Sequence, residues 1–424
     1  MLHGDPAVLA HGVGRVYELS LPLPLYLGGA ALTVLASFLV RALVRQVPSE
    51  RPAKLVAGPA AASRLLGFFR VTGLVVLGLV LLSSTLLADR YFRFASLFFW
   101  IGLIILPVTV CALVGGLWER SNPWRTIEGF YRMEESPSAA TRPPPKWLGP
   151  LLLYGLFWFE LVSGAGFDPL PILFVVLAYS VFALAFQSRW GDAWATADPL
   201  SILFGFSGRL AVFEVDDEGI RRRRVTDGLD VPDPMPRALF VSVFVLLAST
   251  TLDNLRETVQ WFDFLRATGL DSIPGKVVDS AGLLLLTLPF LIPFMGAVWF
   301  ARRNSPGEIG YWVLARRFGW SLIPIGIAYV LAHNLPLVFT GIPQLAEPLS
   351  ESVAAYSPSP ALIWFLEIAL IVGGHVLGVM SAHRTALRMT GSHSSAVASH
   401  TALTLLMSFY TVATLWLLSL PLVV

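Results

Sequence analysis

The sequence contains few charged residues and a single cysteine, and both shortages limit what the protein can be. Charged residues make up 14% of the 424 positions, hydrophobic residues make up 55%, and the mean hydropathy is +0.69. Soluble domains carry about 25% charged residues, so this composition excludes an ordinary soluble chain. Cys111 has no second cysteine to pair with, which excludes an intrachain disulfide and leaves a small buried hydrophobe as its expected role.

The sequence also lacks the short motifs by which common enzyme classes are recognised. It has no glycine-rich phosphate loop, no His-Glu-x-x-His, no Cys-x-x-Cys and no nucleophile elbow. The formal net charge of +2 gives no indication of nucleic-acid binding, because the basic residues serve membrane topology, and we expect no nucleic-acid partner. Any chemistry must therefore come from residues that only the folded chain brings together.

What the sequence does contain is a series of apolar runs long enough to cross a bilayer. A membrane-spanning helix needs about 20 apolar residues, because each residue advances the helix by about 1.5 Å. Ten runs meet this requirement, and they predict an all-α, polytopic transmembrane helical bundle. Their centres lie near Leu32, Val76, Ile104, Leu156, Val176, Phe244, Leu288, Ile327, Leu370 and Met407.

The arginines and lysines between these runs predict the orientation in the membrane. They are dense in the connections after the odd-numbered runs and sparse after the even-numbered ones; 341–360, for example, contains none. Because basic connections stay in the cytoplasm, we expect both termini outside it. The expected location is the bacterial cytoplasmic (inner) membrane, with the lipid bilayer and other membrane subunits as partners.

The runs also suggest a division of the chain. We expect an outer N-terminal lead-in over 1–20 and a first five-span half over 21–188. A cytoplasmic connector with an amphipathic helix and a small hairpin follows over 189–236, and a second five-span half covers 237–424. Two halves that enter the membrane in opposite directions are typical of inverted-repeat transporters.

Several ionisable residues lie inside the apolar runs, where they are functional candidates. At about 1.5 Å per residue, Glu160, Asp253, His333 and Glu367 come out at one level, about 9 Å below the predicted outer surface. Tyr329 lies one turn from His333 on the same helix face. These residues predict a polar layer near the outer side of the membrane.

Two further histidines lie deeper in the ninth run. His375 comes out roughly 21 Å below the outer surface, and His383 lies at the inner end. Gly374 and Gly378 form a GxxxG step of the kind that allows close helix packing. His375 and His383 therefore predict either a proton path or a packing contact, whereas haem ligation would need a histidine at matching depth on another helix, such as His400.

Short segments spread along the chain carry a family resemblance. They are His11-Gly12, Leu21-Pro22-Leu23-Pro24, Ser121 to Ile127, Phe159-Glu160-Leu161, Gly191-Asp192-Ala193, Thr251-Leu252-Asp253, Ala328 to His333, Gly374 to Gly378 and Ala382-His383. In this collinear order they resemble the bacterial multi-pass membrane proteins called fenitrothion hydrolases. The resemblance covers nearly the whole chain and implies hydrolysis of a lipophilic organophosphate triester.

The polar layer suggests how such a reaction would proceed. Histidine and carboxylate side chains suit one divalent transition metal, which would lower the pKa of a bound water. We predict Asp253, His333 and Glu367 as metal ligands, Glu160 as the general base, and Tyr329 as a donor to the phosphoryl oxygen. A structural or gating network, a membrane transporter, and a non-catalytic subunit or assembly factor of a larger membrane complex remain as alternatives.

Overall fold

The computed structural model describes residues 23–43, 53–86, 92–131, 144–304, 309–345, 358–390 and 392–420. The predicted lead-in over 1–20 and both chain ends lie outside these ranges, so the predicted position of the termini is not tested. The contacts within the chain form two compact units. The first contains the described residues within 52–225 and 334–358, and the second contains those within 14–51, 226–333 and 359–424.

The first unit consists of helices and a small sheet. Its strands are β1 (Lys54–Ala57), β2 (Val114–Gly115), β3 (Phe213–Asp216) and β4 (Gly219–Arg222). Its helices are α2 (Pro59–Thr85), α3 (Phe92–Leu97), α4 (Leu106–Leu113), α5 (Leu117–Ser121), α6 (Pro123–Tyr131), α7 (Leu148–Leu161), α8 (Pro169–Trp190), α9 (Pro199–Gly208) and α16 (Leu335–Gln344). A π-helix (Phe98–Ile105) joins α3 to α4, and a 3₁₀ segment (Gly191–Thr196) joins α8 to α9.

The sheet of the first unit joins segments from distant parts of the chain. Its order is β1-β4-β3-β2, with β1 and β3 antiparallel to β4 and β2 parallel to β3. The sequence predicts only the β3–β4 hairpin. Gly219 begins β4 with a φ of 143°, and a Cβ there would lie 2.3 Å from the carbonyl oxygen of Ala57. This close approach of β1 is why the turn requires glycine.

The second unit is helical throughout the described residues. Its helices are α1 (Leu23–Leu43), α10 (Arg237–Leu255), α11 (Val259–Thr268), α12 (Gly275–Leu285), α13 (Thr287–Arg303), α14 (Tyr311–Gly319), α15 (Ile323–His333), α17 (Pro360–Thr390) and α18 (His393–Leu418). Two 3₁₀ turns, Leu270–Ser272 and Trp320–Leu322, lie between α11 and α12 and between α14 and α15. Helix α17 packs against α15, α18 and α1.

Small residues allow α17 and α15 to pack closely. A Cβ at Gly374 would lie 2.4 Å from the Cβ of Ala328 and 2.6 Å from the carbonyl oxygen of Pro324. A Cβ at Gly378 would lie 2.8 Å from the carbonyl oxygen of Ser321. The GxxxG step therefore does bring the two backbones together, because neither glycine position has room for a side chain.

The two contact units divide the chain differently from the predicted five-span halves, and those halves stay a prediction. Helix α1 belongs to the second unit and α16 to the first. The predicted connector over 189–236 is divided at residue 225. Ion pairs hold its last part to α17: Arg384 Nη1 lies 3.0 Å from Asp227 Oδ1, and Arg388 Nε lies 2.6 Å from Asp230 Oδ1.

The lengths and composition of the helices are those of a multi-pass membrane protein, and every predicted span centre falls within a helix. In the described ranges, seven helices are long and apolar enough to cross a membrane. An eighth span results if the bent pair of Tyr311–His333 and Leu335–Gln344 is counted. The apolar stretch Leu27–Leu39 of α1 and the helix α7, at two of the ten predicted positions, are shorter, so ten spans are not confirmed. Exposed residues such as Phe174 and Val181 give α8 a lipid-facing surface.

Candidate functional site

The centre of the candidate site is a contact between two helices of the second unit. Asp253 lies near the end of α10 and is buried, and His333 is the last residue of α15. The Asp253 Oδ2 atom contacts the Nε2 atom of the His333 ring. Helix α15 ends at this point because Pro336, close behind, lacks an N–H to continue the backbone ladder. The histidine thus lies at a helix break, beside a carboxylate.

The second ring nitrogen of His333 also has a partner on α10. The amide nitrogen of Asn254 lies 3.2 Å from His333 Nδ1. An amide nitrogen only donates, so Nδ1 accepts, and Nε2 carries the proton that faces Asp253. Both nitrogens of the ring are therefore bonded to the chain's own side chains, which fixes the ring in place.

Two charged residues extend this contact beyond the end of α10. The Nη2 atom of Arg256 lies 3.7 Å from Asp253 Oδ1 and 3.9 Å from Glu257 Oε1. Burial, together with the negative charge of Asp253, raises the pKa of Glu257 to about 7. Glu257 therefore exchanges a proton near neutral pH, next to the His333–Asp253 pair.

Glu367 and Tyr329 complete the cluster from α17 and α15. Both are buried, and the Glu367 carboxylate lies close enough to interact electrostatically with His333 and Tyr329. The Tyr329 ring stacks on the His333 ring at 6.5 Å between centroids and 12° between planes. Its hydroxyl has no hydrogen-bond partner among the described residues. It is packed among apolar side chains that include Ala332, Trp364 and Ile371.

Four of the predicted site residues share one cluster. They are Asp253, His333 and Glu367 of the predicted polar layer, and Tyr329 next to it. Glu160, the predicted general base, lies in the first unit near the end of α7 and is described with that unit. Its role as a base stays a prediction.

The arrangement of the cluster gives no support to the predicted metal. In the part of the chain that the structure describes, no group of three or more His, Cys, Asp or Glu residues is placed to hold a metal ion. Both nitrogens of His333 are occupied by Asp253 and Asn254, so coordination would require one of these bonds to break. Metal ligation by Asp253, His333 and Glu367 stays a prediction, and we derive no chemical step from it.

Of the two deeper histidines, His375 lies midway along α17, and His383 belongs to a second group near the opposite end of the helix. His375 is buried, and its Nδ1 lies 2.9 Å from the carbonyl oxygen of Ile371 in its own helix. The His383 ring lies 4.7 Å from that of His400 and 5.7 Å from that of His393, between centroids. His383 and His400 are buried, whereas His393 is partly exposed at the start of α18. Three histidines therefore lie side by side where α17 meets α18.

Several members of these groups are not among the site residues predicted from the sequence. Glu257 lies outside the apolar runs, yet it follows Asp253 by four residues, the spacing of neighbours on a helix face. Asn254 and His393 are not among the site residues predicted from the sequence either. The spacing of His393 and His400, seven residues apart at the start of the last run, was the available signal.

The fold and the cluster define a class: a multi-pass membrane protein that holds a buried carboxylate–histidine cluster between its helices. Comparison with protein-family models, curated proteins and solved structures finds no match to this chain. The chemistry of the cluster is therefore the starting point for a functional proposal.

Proposed function

We propose that this protein is a proton transporter of the bacterial cytoplasmic membrane, and that the cluster around His333 and Asp253 is its proton-binding site. The observation that carries the proposal is the state of the His333 ring. Its nitrogens bond Asp253 and Asn254, so neither has a lone pair directed at a substrate or a metal. A proton shared between an imidazole and a carboxylate can still be gained and lost.

The charges of the cluster support proton binding. The cluster contains three carboxylates, those of Asp253, Glu257 and Glu367. Asp253 and Glu257 lie 3.7 and 3.9 Å from the guanidinium of Arg256, and Asp253 and Glu367 interact with the imidazole of His333. With a neutral ring and all carboxylates ionised, the cluster would hold a net charge of −2 in a poorly solvated place. Burial disfavours such an excess, which favours proton binding by the cluster. The protons are then released when the cluster becomes better solvated, because water stabilises the ionised carboxylates.

The proposed route for the proton follows α17. Glu367, His375 and His383 follow one another at intervals of eight residues, or about 12 Å along the helix axis. All three are buried, and His383 continues to the rings of His400 and His393. Steps of this length exceed a hydrogen bond, so transfer between them needs water or a movement of α17. The partly exposed His393 is the proposed end of the route.

Proton flux into liposomes tests this proposal. The purified protein is reconstituted with a pH-sensitive dye inside the vesicles, and a potential is imposed with potassium and valinomycin. We expect the wild type to acidify the interior and Asp253→Asn to reduce the initial rate at least tenfold. Asp263→Asn is the matched control, because Asp263 is exposed on α11 of the same unit. A wild-type rate equal to that of empty liposomes would refute the proposal.

A membrane-embedded hydrolase is the second candidate, in line with the resemblance to fenitrothion hydrolases. The favouring observation is the Tyr329 hydroxyl, which is buried beside Asp253 and Glu367 without a hydrogen-bond partner among the described residues. Such a donor could contact a phosphoryl oxygen that enters the cluster. Release of the aryl alcohol from a lipophilic phosphotriester, lost in Tyr329→Phe, would support this function. Activity equal to that of buffer would remove it.

A further inference from the structure

The first unit contains an elongated apolar cavity that takes no part in the proton cluster. Its volume is about 370 Å³. Along α7 its walls extend from Leu148 to Phe159, and along α8 from Val175 to Phe186. Each stretch covers eleven steps of the helix, or about 16 Å. This length matches one leaflet of a bilayer, whose hydrocarbon core is about 30 Å thick in total.

The walls of the cavity offer a ligand little but apolar surface. The Tyr179 hydroxyl donates to Asp198 Oδ1 at 2.6 Å, and the Trp124 indole donates to Ser180 Oγ at 2.8 Å. These polar groups of the wall are thus already bonded within the chain. A molecule in the cavity would be held by apolar contact, as a hydrocarbon chain is.

The cavity opens towards the lipid-facing surface of the unit. Gly155 on α7 and Phe182 on α8 both line it, and both are exposed. In a membrane-spanning region, an exposed apolar surface faces lipid. A lipid chain can therefore enter sideways, between the two helices, without passing through water.

Basic residues stand at one end of the cavity. Lys146 lies two residues before Leu148, and Arg189 lies three residues after Phe186. Both are exposed, and neither forms an ion pair with any other described residue. The neighbouring Trp147 and Trp190 are of the type that marks the membrane–water interface. This end of the cavity is suited to a negatively charged headgroup.

We infer that the cavity holds one acyl chain of an anionic phospholipid, with the lipid phosphate against Lys146 and Arg189. The length of the cavity, its apolar walls and its sideways opening select a lipid chain. The two basic side chains at its end select the charge of the headgroup. This lipid site lies wholly within the first unit and does not depend on the proposed proton transport.

The inference is tested by native mass spectrometry of the detergent-purified protein with phosphatidylglycerol and phosphatidylcholine of identical chains. We expect the wild type to retain one phosphatidylglycerol at least fivefold more strongly than phosphatidylcholine. A Cβ at Gly155 meets no atom within 4 Å, so Gly155→Phe places its ring in the cavity mouth and should lower retention at least fivefold. Gly78→Phe is the matched control, because Gly78 on α2 is equally open and does not line the cavity.

A second variant tests the headgroup end without touching the cavity. In Lys146→Gln with Arg189→Gln, both changes lie at exposed positions, so the fold is retained. We expect this variant to bind the two lipids equally. Retention by Gly155→Phe at the level of Gly78→Phe would overturn the cavity as the lipid site. Equal retention of both lipids by the wild type would overturn the assignment of the headgroup.

Discussion

The closest contact between α17 and α15 supports a sharp prediction about stability. A Cβ placed on Gly374 would lie 2.4 Å from the Cβ of Ala328 and 2.6 Å from the carbonyl oxygen of Pro324. Carbon atoms in ordinary contact are about 3.5 to 4.0 Å apart, so Gly374→Ala must move the helices apart by about 1 Å. Overpacking of this size costs about 1 to 3 kcal/mol. We therefore expect Gly374→Ala to lower the free energy of unfolding by that amount.

The neighbouring residue provides the control for this prediction. A Cβ on Gly373 would meet no atom within 4 Å, and alanine is a better helix former than glycine by up to about 1 kcal/mol. Gly373→Ala should therefore leave the Tm unchanged or raise it, while Gly374→Ala lowers it by several degrees. The assay is thermal unfolding of both purified variants in one detergent. If the two variants unfold at the same temperature, the argument from close packing at Gly374 is refuted.

Two further predictions concern charged side chains. The pKa of Glu257 is raised from 4.5 to about 7, so ionisation of this carboxyl destabilises the folded state. The destabilisation is absent below about pH 4.5, grows as the pH rises, and is complete above about pH 7. The stability of Glu257→Gln relative to the wild type should therefore rise between pH 5 and pH 8, by up to about 3 kcal/mol in the free energy of unfolding. Thermal unfolding measures this difference, and a difference that stays constant across the range would contradict the raised pKa. Arg223 contacts Glu214 at 2.9 Å and the carbonyl oxygens of Ala211 and Gly208 at 3.0 and 2.5 Å, so Arg223→Ala should cost about 2 to 3 kcal/mol in the same assay. Arg222→Ala, at the exposed neighbour, is the control, and an equal loss in both variants would count against these contacts.

The depth of a residue in the membrane can be predicted from its position along a helix, because each residue of a helix adds a fixed rise. Asp253 and His333 were placed at the same level from their positions in separate runs, and the structure brings them into contact. Glu160 was counted to that level as well, but it belongs to the first unit. Depth alone does not show which helices are neighbours, nor towards which side of its helix a residue faces. It therefore cannot show which residues at one depth are in contact.

The small sheet shows a different limit. Strand β2 is two residues long, and its partner β3 begins almost a hundred residues later. No alternation of apolar and polar residues can be recognised in so short a segment. Pairing of this kind depends on helices that bring distant segments together, so only the folded unit decides it.

The sequence by itself determined the helical, membrane-embedded character of this protein. A chain so apolar must satisfy its backbone hydrogen bonds within helices when it lies in lipid, and every predicted span centre does fall in a helix. The tertiary structure alone decided the site: that Asp253 and Asn254 occupy both nitrogens of His333, and that Glu257 and Arg256 lie beside them. The physical reason is that the rotation of a helix about its axis follows from many short steric contacts, such as Gly374 against Ala328. No local pattern of residues encodes these contacts.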